Sequence, residues 1–416
     1  MRRPLYIVGG ARTPFCKFTT LLKDAPASNL GVSAAKGAIN DAGISPSDID
    51  NVIFGCVCQP ADAMNIARVI AFRSDICEEV PAVTVNRNCG SGMEAITQAI
   101  EKSSTDKGDV FLVGGTESMS LAPTLFPKSF GRKLMTLAKQ KSVFSKVAAM
   151  SKFRLSDLSP QIGLKLGLRD PLCDMNMGQT AELLARELGI TRLQQDAFSV
   201  HSHDKAIYAK DVLQQEIAPI YTTNDDCIRT FTGNHIVHDN GPRNDSTIGA
   251  IGRLRPVFDK TGTVTAANSS QVTDGAAALV LMTKEGLKRT GCDPIAEIHN
   301  YSYTGCDPKR MGLGPVSAIR DLQVNVQDVD LFEINEAFAA QTIACKRLIE
   351  KTLGDVPDEK LNVNGGAIAI GHPIGASGAR ITLTLAKELN RRGKNLNGVA
   401  ALCIGGGQGG ALWIKS

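Results

Sequence analysis

The sequence lacks any long apolar run. None of its hydrophobic stretches approaches the roughly 18 residues that a membrane-spanning helix needs. The apolar stretch at residues 5–10, close to the N-terminus, is too short for a secretion signal. We therefore expect an intracellular protein that is neither secreted nor inserted into a membrane.

The chain also lacks a cysteine pattern that would indicate disulfides or zinc. Its eleven cysteines are odd in number and scattered, and the only close pair is Cys56 and Cys58. No CxxC motif or histidine cluster completes a metal site. We expect reduced thiols and no bound metal, so the open question is which cysteines are reactive.

Aromatic residues are few, at 5%, and neither sign of charge dominates: 46 basic residues stand against 42 acidic ones. This balance argues against a nucleic-acid-binding protein. The positive charge is concentrated in residues 128–154, which hold eight basic residues and no acidic one. That segment is either a solvated helical surface or a binding surface for an anionic ligand, an acidic partner or an anionic membrane.

Short apolar runs alternate with amphipathic stretches in the first 118 residues and again in the last 125 or so. This alternation predicts an α/β architecture with a buried sheet and favours an internal duplication. A more polar segment, about 120–271, separates the two halves. The predicted strands are 5–8, 51–57, 109–114, 296–300, 329–333 and 398–404, and the predicted helices are 29–42, 90–101, 316 onward, 335–349 and 375–389.

Cys89 is the first candidate for chemistry. It follows a strand-like run and precedes a small-residue turn into a helix predicted to begin near Gly90. A helix N-terminus offers free N–H groups that stabilise a thiolate. The alternative is an inert cysteine in a tight turn.

Three further segments contain candidate site residues. His372 is framed by glycines and followed by Pro373, which fixes the backbone beside the imidazole. Cys403 ends a strand-like run before a glycine loop at 405–410. That loop matches GxGxxG, but only six residues follow it, too few for a dinucleotide-binding unit. Asn335 stands at a strand-to-helix junction and by itself is only a good helix cap.

Together these segments resemble the thiolase family, and the resemblance extends from residues 11–15 through 114–119 to the C-terminal glycine loop. It implies the thiolase fold, two duplicated α/β halves in an α-β-α-β-α arrangement of five layers. The implied domains are 1–119, completed by a strand near 273–290; an inserted loop domain, 120–272, that binds coenzyme A and covers the site; and 291–416.

The resemblance also implies roles. Cys89 would be the nucleophile that carries the acyl group, and His372 would take its proton. Cys403 would be the acid and base at the acetyl carbon, with a pKa near the usual thiol value. His372 and a water held by Asn335 would stabilise the enolate, and the N–H groups of Cys89 and Gly405 would stabilise the tetrahedral intermediate.

Coenzyme A would be a substrate, with no permanently bound cofactor. Ser270 matches a family serine near the pantetheine arm, and Met177 belongs to the covering-loop motif. Arg243 matches, less closely, an arginine at the nucleotide end. The family further implies a homodimer or homotetramer, in the cytoplasm or the mitochondrial matrix, and a possible β-oxidation partner subunit.

The expected reaction is thiolytic cleavage of a 3-ketoacyl-CoA to acetyl-CoA and a shortened acyl-CoA, in fatty-acid β-oxidation. The alternatives are a short-chain acetyl-CoA acetyltransferase, a ketosynthase, and an inactive lipid-binding or scaffold protein of the same fold. Two departures leave chain length open. Asn176 stands where short-chain enzymes usually have histidine, whereas Asn335 stands where thiolase subunits of trifunctional complexes generally have it.

Overall fold

The computed structural model describes residues 3–221 and 235–416, in which strands and helices alternate. The strands are β1 (Leu5–Arg12), β2 (Cys16–Lys17), β3 (Asn51–Gly55), β4 (Ala82–Val85), β5 (Val110–Glu117), β6 (Thr124–Leu125), β7 (Gln161–Ile162), β8 (Ile220–Tyr221), β9 (His235–Ile236), β10 (Thr273–Met282), β11 (Ala296–Gly305), β12 (Leu331–Ile334), β13 (Asn397–Ile404) and β14 (Gln408–Lys415).

Fifteen α-helices lie in the described part of the chain, besides four short 3-10 helices. They are α1 (Ala27–Asp41), α2 (Ile66–Arg73), α3 (Ser91–Ser104), α4 (Lys128–Ala138), α5 (Val143–Met150), α6 (Gly163–Gly167), α7 (Met177–Glu187), α8 (Arg192–Tyr208), α9 (Lys210–Gln214), α10 (Ile248–Ile251), α11 (Lys284–Thr290), α12 (Gly314–Asp321), α13 (Ala339–Thr352), α14 (Ala367–Ile370) and α15 (Ser377–Arg392). None of these helices combines the length and the apolarity that crossing a bilayer requires.

The main sheet has the strand order β12-β13-β14-β11-β1-β10-β5-β3-β4. The order is symmetric about the antiparallel pairing of β1 with β11. On one side, β3 and β5 are parallel and β10 runs antiparallel between β5 and β1. On the other, β12 and β13 are parallel and β14 runs antiparallel between β13 and β11. The two halves therefore repeat one topology, and β4 is an extra edge strand.

Three apolar cores hold together five layers, which are two half-sheets, the helices between them and the helices on their two outer faces. A central core joins α3 and α15 to the inner faces of both half-sheets, through residues such as Met93, Phe111, Ile381 and Leu402. A second core lies under α1 and α2 on the outer face of one half, and a third lies under α12 and α13 on the outer face of the other. The α/β class and the layered arrangement inferred from sequence are confirmed.

Residues Ala122–Arg169 form a separate compact unit. It contains α4, α5, α6 and the short β6–β7 pair. Phe130 packs against Phe126 and Phe153, and Lys133 pairs with buried Asp157. Few of its other side chains are enclosed, so many apolar groups of α4 and α5 face solvent.

Candidate active site

Cys89 lies in the turn between β4 and α3. Helix α3 begins at Ser91, one residue later than the sequence predicts. Asn88 takes a positive φ of 47° and its side-chain amide donates to the Gly405 carbonyl, 2.8 Å away. A Cβ at Gly90 would lie 2.6 Å from the Ile404 side chain. The turn around Cys89 is thereby locked against the end of β13.

The pKa of the Cys89 thiol is raised, chiefly because burial disfavours the thiolate. Hydrogen bonds from the backbone N–H groups of Gly405 and of Cys89 itself act in the opposite direction, and the Glu117 carboxylate adds to the increase. The expectation that a helix N-terminus would stabilise the thiolate is therefore wrong for the net effect, because burial outweighs the N–H donors. Cys89 needs a base to ionise.

Cys403 is fully buried at the end of β13, and its pKa is well above the usual thiol value. Burial is the main cause, followed by the nearby Cys89 thiol. The sequence-based expectation of a near-normal Cys403 pKa is corrected on this ground. Cys403 is a protonated thiol at neutral pH.

The glycine loop after Cys403 has a fixed conformation. Gly406 and Gly407 have φ of 90° and 78°, a region that side chains disfavour. The Gly406 N–H donates to the buried Asp170 carboxylate at 2.9 Å. The Gly405 N–H, by contrast, lowers the pKa of the Cys89 thiol by hydrogen bonding. The conformation of the loop is thus fixed, and its backbone N–H groups serve as hydrogen-bond donors.

His372 lies between α14 and α15 and is buried. Its Nδ1 is 2.6 Å from Ser377 Oγ, and that hydroxyl donates to the Pro373 carbonyl. Since a hydroxyl has one proton, Ser377 can only accept from His372, which places the imidazole proton on Nδ1. Nε2 is then the basic nitrogen. Burial, with a smaller effect of Arg380, lowers the pKa of His372 to about 4, so the ring is neutral.

The segments that carry Cys89 and His372 meet where α3 and α15 begin. A Cβ at Gly92 would lie 2.8 Å from the backbone nitrogen of Ala379, and Gly378 faces the backbone of Met93 in the same way. Glycines at both positions allow the first turns of the two helices to touch.

Asn335 follows β12, and its N–H donates to the Ala401 carbonyl of β13 at 2.9 Å. Both polar atoms of its side chain are buried, and neither has a hydrogen-bond partner among the described residues. It does not cap a helix, because α13 begins four residues later than predicted, at Ala339. The intervening backbone instead pairs with residues 268–270. A buried amide with free hydrogen-bonding capacity suits a water or a substrate oxygen.

The remaining predicted residues lie at different distances from this centre. Met177 begins α7 and packs in a cluster that includes Cys403. Ser270 donates its N–H to the Ala337 carbonyl, 2.9 Å away. Arg243 is exposed; the contacts described for it are an ion pair with Asp245 and a backbone bond to His203. None of these described contacts links Arg243 to Cys89 or Cys403.

Glu117 is a functional candidate that the sequence reasoning missed, since it figured there only within the 114–119 motif. It ends β5, is fully buried, and accepts N–H bonds from residues of two different loops. Burial raises its pKa to about 7. The available signal was an acidic residue at the end of a largely apolar strand. As for metals, no three His, Cys, Asp or Glu side chains in the described part of the chain form a ligand cluster.

Two family models match the chain. "Thiolase, N-terminal domain" matches residues 5–285 and "Thiolase, C-terminal domain" matches residues 292–416. A probable acetyl-CoA acyltransferase of Staphylococcus aureus (strain COL) is 40% identical over 406 residues, 95% of each chain. An acetyl-CoA acetyltransferase of Syntrophomonas wolfei is 39% identical over the full length of both.

Solved structures show the same likeness. The Bacillus anthracis acetyl-CoA acetyltransferase superposes with a TM-score of 0.87 at 35% identity, covering 100% of this chain and 99% of that one. The human mitochondrial 3-ketoacyl-CoA thiolase in complex with CoA gives 0.86 at 38% identity, covering 100% and 98%.

Proposed function

The chain belongs to the thiolase family of acyltransferase enzymes, and on that premise we propose that it moves an acyl group between Cys89 and coenzyme A by reversible Claisen chemistry. One observation carries the proposal: hydrogen bonding from the backbone N–H groups of Cys89 and Gly405 lowers the pKa of the Cys89 thiol, against the effect of burial. Donors fixed there can also receive the oxyanion that forms when a thioester at Cys89 is attacked. Losing one such donor typically costs on the order of 3–4 kcal/mol in the transition state.

In the cleavage direction His372 Nε2 takes the Cys89 proton and the sulfur attacks the 3-keto carbon of the substrate. The bond between C2 and C3 breaks, which leaves the acyl group on Cys89 and an enolate on the departing acetyl-CoA. Support for this step comes from the neutral, Ser377-oriented imidazole and from a thiol whose raised pKa requires a base.

Cys403 then gives its proton to the enolate carbon. Its raised pKa keeps it protonated until that step. The unpartnered Asn335 side chain is suited to hold the water that hydrogen-bonds the enolate oxygen, together with His372. In the last step a second coenzyme A gives its thiol proton to the Cys403 thiolate, and its sulfur attacks the acyl-Cys89 carbonyl. The shortened acyl-CoA is released, and the departing Cys89 thiolate takes back the proton held on His372.

For coenzyme A binding we propose Ser270 at the pantetheine arm and Met177 in the covering segment. Arg243 stays a weaker proposal for the nucleotide end, because its guanidinium already pairs with Asp245 and would have to exchange that partner.

We propose thiolytic cleavage in fatty-acid β-oxidation as the main reaction, with acetoacetyl-CoA synthesis as the second candidate. The names of the relatives include both acyltransferases and acetyltransferases, which keeps the second candidate open. Initial rates of thiolysis for 3-ketoacyl-CoAs of increasing length discriminate between them. A rate confined to acetoacetyl-CoA would favour the second candidate, and turnover of a malonyl thioester would favour a ketosynthase.

The direct test of the proposed function is covalent. After mixing with acetyl-CoA, mass spectrometry of the digested protein should find one acetyl group on Cys89. An acetyl group on another cysteine, with Cys89 free, would overturn the assignment, and no label at all would favour the inactive alternative.

We also propose a homo-oligomer, a dimer or a tetramer. In the described sheet β4 pairs only with β3, so its other edge can pair with another chain, apart from the Ala82 carbonyl, which accepts from the Asn65 side chain. Met64, Phe72 and Val83 expose apolar surface in and around α2 and β4. A second copy would cover both features.

For residues 128–154 we propose an anionic partner, either a membrane surface or an acidic β-oxidation subunit. Seven of the eight basic side chains are exposed; Lys133 is partly buried against Asp157. On α5 the apolar side chains of Val143, Phe144 and Val147 are also exposed, Phe144 to 90%. Basic and apolar groups side by side match an anionic lipid surface.

A further inference from the structure

Glu117 connects two loops at the end of β5. Its Oε1 accepts from the Cys58 N–H at 2.9 Å, and its Oε2 accepts from the N–H groups of Val57 at 3.1 Å and Gly375 at 2.9 Å. Cys56 Sγ also approaches Oε1, at 3.8 Å. The first loop follows β3, and the second contains His372.

Both loops lie beside the nucleophile. The N–H of Cys56 pairs with the Val85 carbonyl at the end of β4, four residues before Cys89. A Cβ at Gly92, in the first turn of α3, would lie 2.9 Å from the Gly375 carbonyl. Each of the two loops that Glu117 holds therefore contacts the chain on one side of Cys89. The negative charge of Glu117 raises the pKa of the Cys89 thiol.

Burying the Glu117 carboxylate beside Cys89 has two energetic penalties. A carboxylate with no exposed surface accepts three backbone donors, and burial still raises its pKa to about 7. Its negative charge also raises the pKa of Cys89, which works against the nucleophile. A neutral amide would avoid both penalties but would leave backbone donors of the two loops without an acceptor, so what the carboxylate contributes is the link between those loops.

We propose that Glu117 is a positioning residue for acyl transfer: its carboxylate ties the His372 segment to the loop after β3 and so fixes the imidazole relative to Cys89. It touches neither substrate nor reacting atoms and acts through Gly375. The inference rests on the proposed function. Its consequence is a separation between thiol reactivity and turnover, which a purely structural residue would not produce.

The test compares Glu117→Gln with wild type in acetoacetyl-CoA thiolysis and in alkylation of Cys89 by iodoacetamide. The amide keeps the side-chain size but turns an NH2 group towards backbone donors. We expect kcat to fall on the order of 10- to 100-fold because His372 shifts. The KM for coenzyme A should change by less than about twofold. Alkylation at pH 7 should be as fast as in wild type or faster, because a negative charge near the thiol is gone.

Asp50→Asn is the matched control. The Asp50 carboxylate accepts the N–H groups of Asp109 and Val110, both at 2.8 Å, at the opposite end of β5. This variant should lower the thermal midpoint and leave kcat unchanged. If Glu117→Gln does not fold, Glu117→Asp replaces it, since a side chain shorter by one methylene cannot span both loops.

Wild-type kcat in either folded Glu117 variant would overturn the proposal, as would a loss of alkylation that parallels the loss of kcat. A wild-type enzyme that does not cleave acetoacetyl-CoA or longer 3-ketoacyl-CoAs would overturn the proposed function, and this inference with it. If wild type is active and Glu117→Gln has the same kcat, the inference about Glu117 is overturned and the proposed function is not.

Discussion

Two fully buried thiols, Cys403 and Cys345, differ in their surroundings. The pKa of both is raised by burial, that of Cys345 to about 12. Cys345 Sγ donates to the Gly312 carbonyl, 2.9 Å away, inside the outer core of the C-terminal half. Cys403 instead is the last but one residue of β13, two residues before Gly405, and its pKa is raised by Cys89 and less by Cys345. Equal burial therefore does not imply equal function.

Cys403→Ser should still accept an acetyl group on Cys89 but lose thiolysis by several orders of magnitude. A serine hydroxyl is a far poorer proton carrier for carbon than a thiol. Acetylation is followed by mass spectrometry and thiolysis by the absorbance of acetoacetyl-CoA. Cys345→Ser is the control and should keep its turnover. Near-normal thiolysis in Cys403→Ser would remove Cys403 from the mechanism.

The stability of the protein should depend on His372 in acid. The pKa of His372 is about 4 in the folded chain and about 6.5 in an unfolded one. The folded state disfavours the proton, so the stability that the neutral ring contributes is present above pH 6.5 and is lost as the pH falls to 4. The loss is on the order of 3 kcal/mol.

Urea unfolding of wild type and His372→Asn between pH 7 and pH 4 measures this difference. The variant should show the shallower loss of unfolding free energy and no thiolysis. His203, whose pKa is also lowered to about 4, is the control. His203→Asn should flatten the acid loss similarly while acetyl transfer to Cys89 persists. Identical slopes for wild type and His372→Asn would show that His372 titrates normally in the folded state.

The side chains of the candidate site could be named from sequence, but their ionisation could not. Cys89, His372, Cys403 and Asn335 follow from motifs within single short segments. The raised pKa values of both cysteines and the lowered value of His372 depend on burial by segments far away in the chain. Glu117 was missed for the same reason, because its partners at residues 57, 58 and 375 are not local.

Among the helices, α13 shows where periodicity fails. Its predicted start at residue 335 is an apolar–polar junction, yet the helix begins at Ala339. The Ala339 N–H bonds to the Asn268 carbonyl and Ala337 accepts the Ser270 N–H, so this stretch stays extended. Long-range pairing overrides a local helical pattern. The strands predicted at 5–8, 109–114 and 398–404, by contrast, fall within β1, β5 and β13 apart from residue 109.

The helices α4 and α5 give a prediction that concerns a surface. Changing Lys128, Lys139, Lys141 and Lys146 to Gln should weaken binding to vesicles that contain anionic lipid, since each basic group contributes on the order of 1 kcal/mol there. Vesicle co-sedimentation at several lipid compositions and salt concentrations measures it. Wild-type binding should rise with anionic lipid content and fall with salt.

The matched control also changes four lysines to Gln, at positions outside residues 122–169. Lys23, Lys36, Lys284 and Lys309 lie outside the separate unit, and their change to Gln should leave vesicle binding as in wild type. Binding of an acidic partner subunit without binding to vesicles would favour the second candidate. If the four substitutions within residues 128–154 alter neither lipid binding nor the KM for coenzyme A, the segment is a solvated surface.

At the scale of the whole molecule, the duplication explains the site. The halves are related about the β1–β11 pairing, and the equivalent helices α3 and α15 meet in the central layer. One half supplies Cys89 at the start of α3, and the other supplies His372 before α15 and Cys403 at the end of β13. Helix N-termini that touch in the centre of a repeated fold place the segments of Cys89 and His372, the proposed nucleophile and base, next to each other although they are 283 positions apart.

The same symmetry leaves β4 without a counterpart, and this extra edge leads to the last prediction. Sedimentation at micromolar concentration should show a species at least twice the 44.2 kDa of one chain. Phe72→Lys combined with Val83→Lys should shift it towards one chain, because like charges on the edge repel those of a second β4. Tyr208→Glu, at a side chain that is 95% exposed on α8, should not. A single-chain species in the wild type would contradict the proposed oligomer, and an unchanged assembly in the double variant would place the interface away from β4.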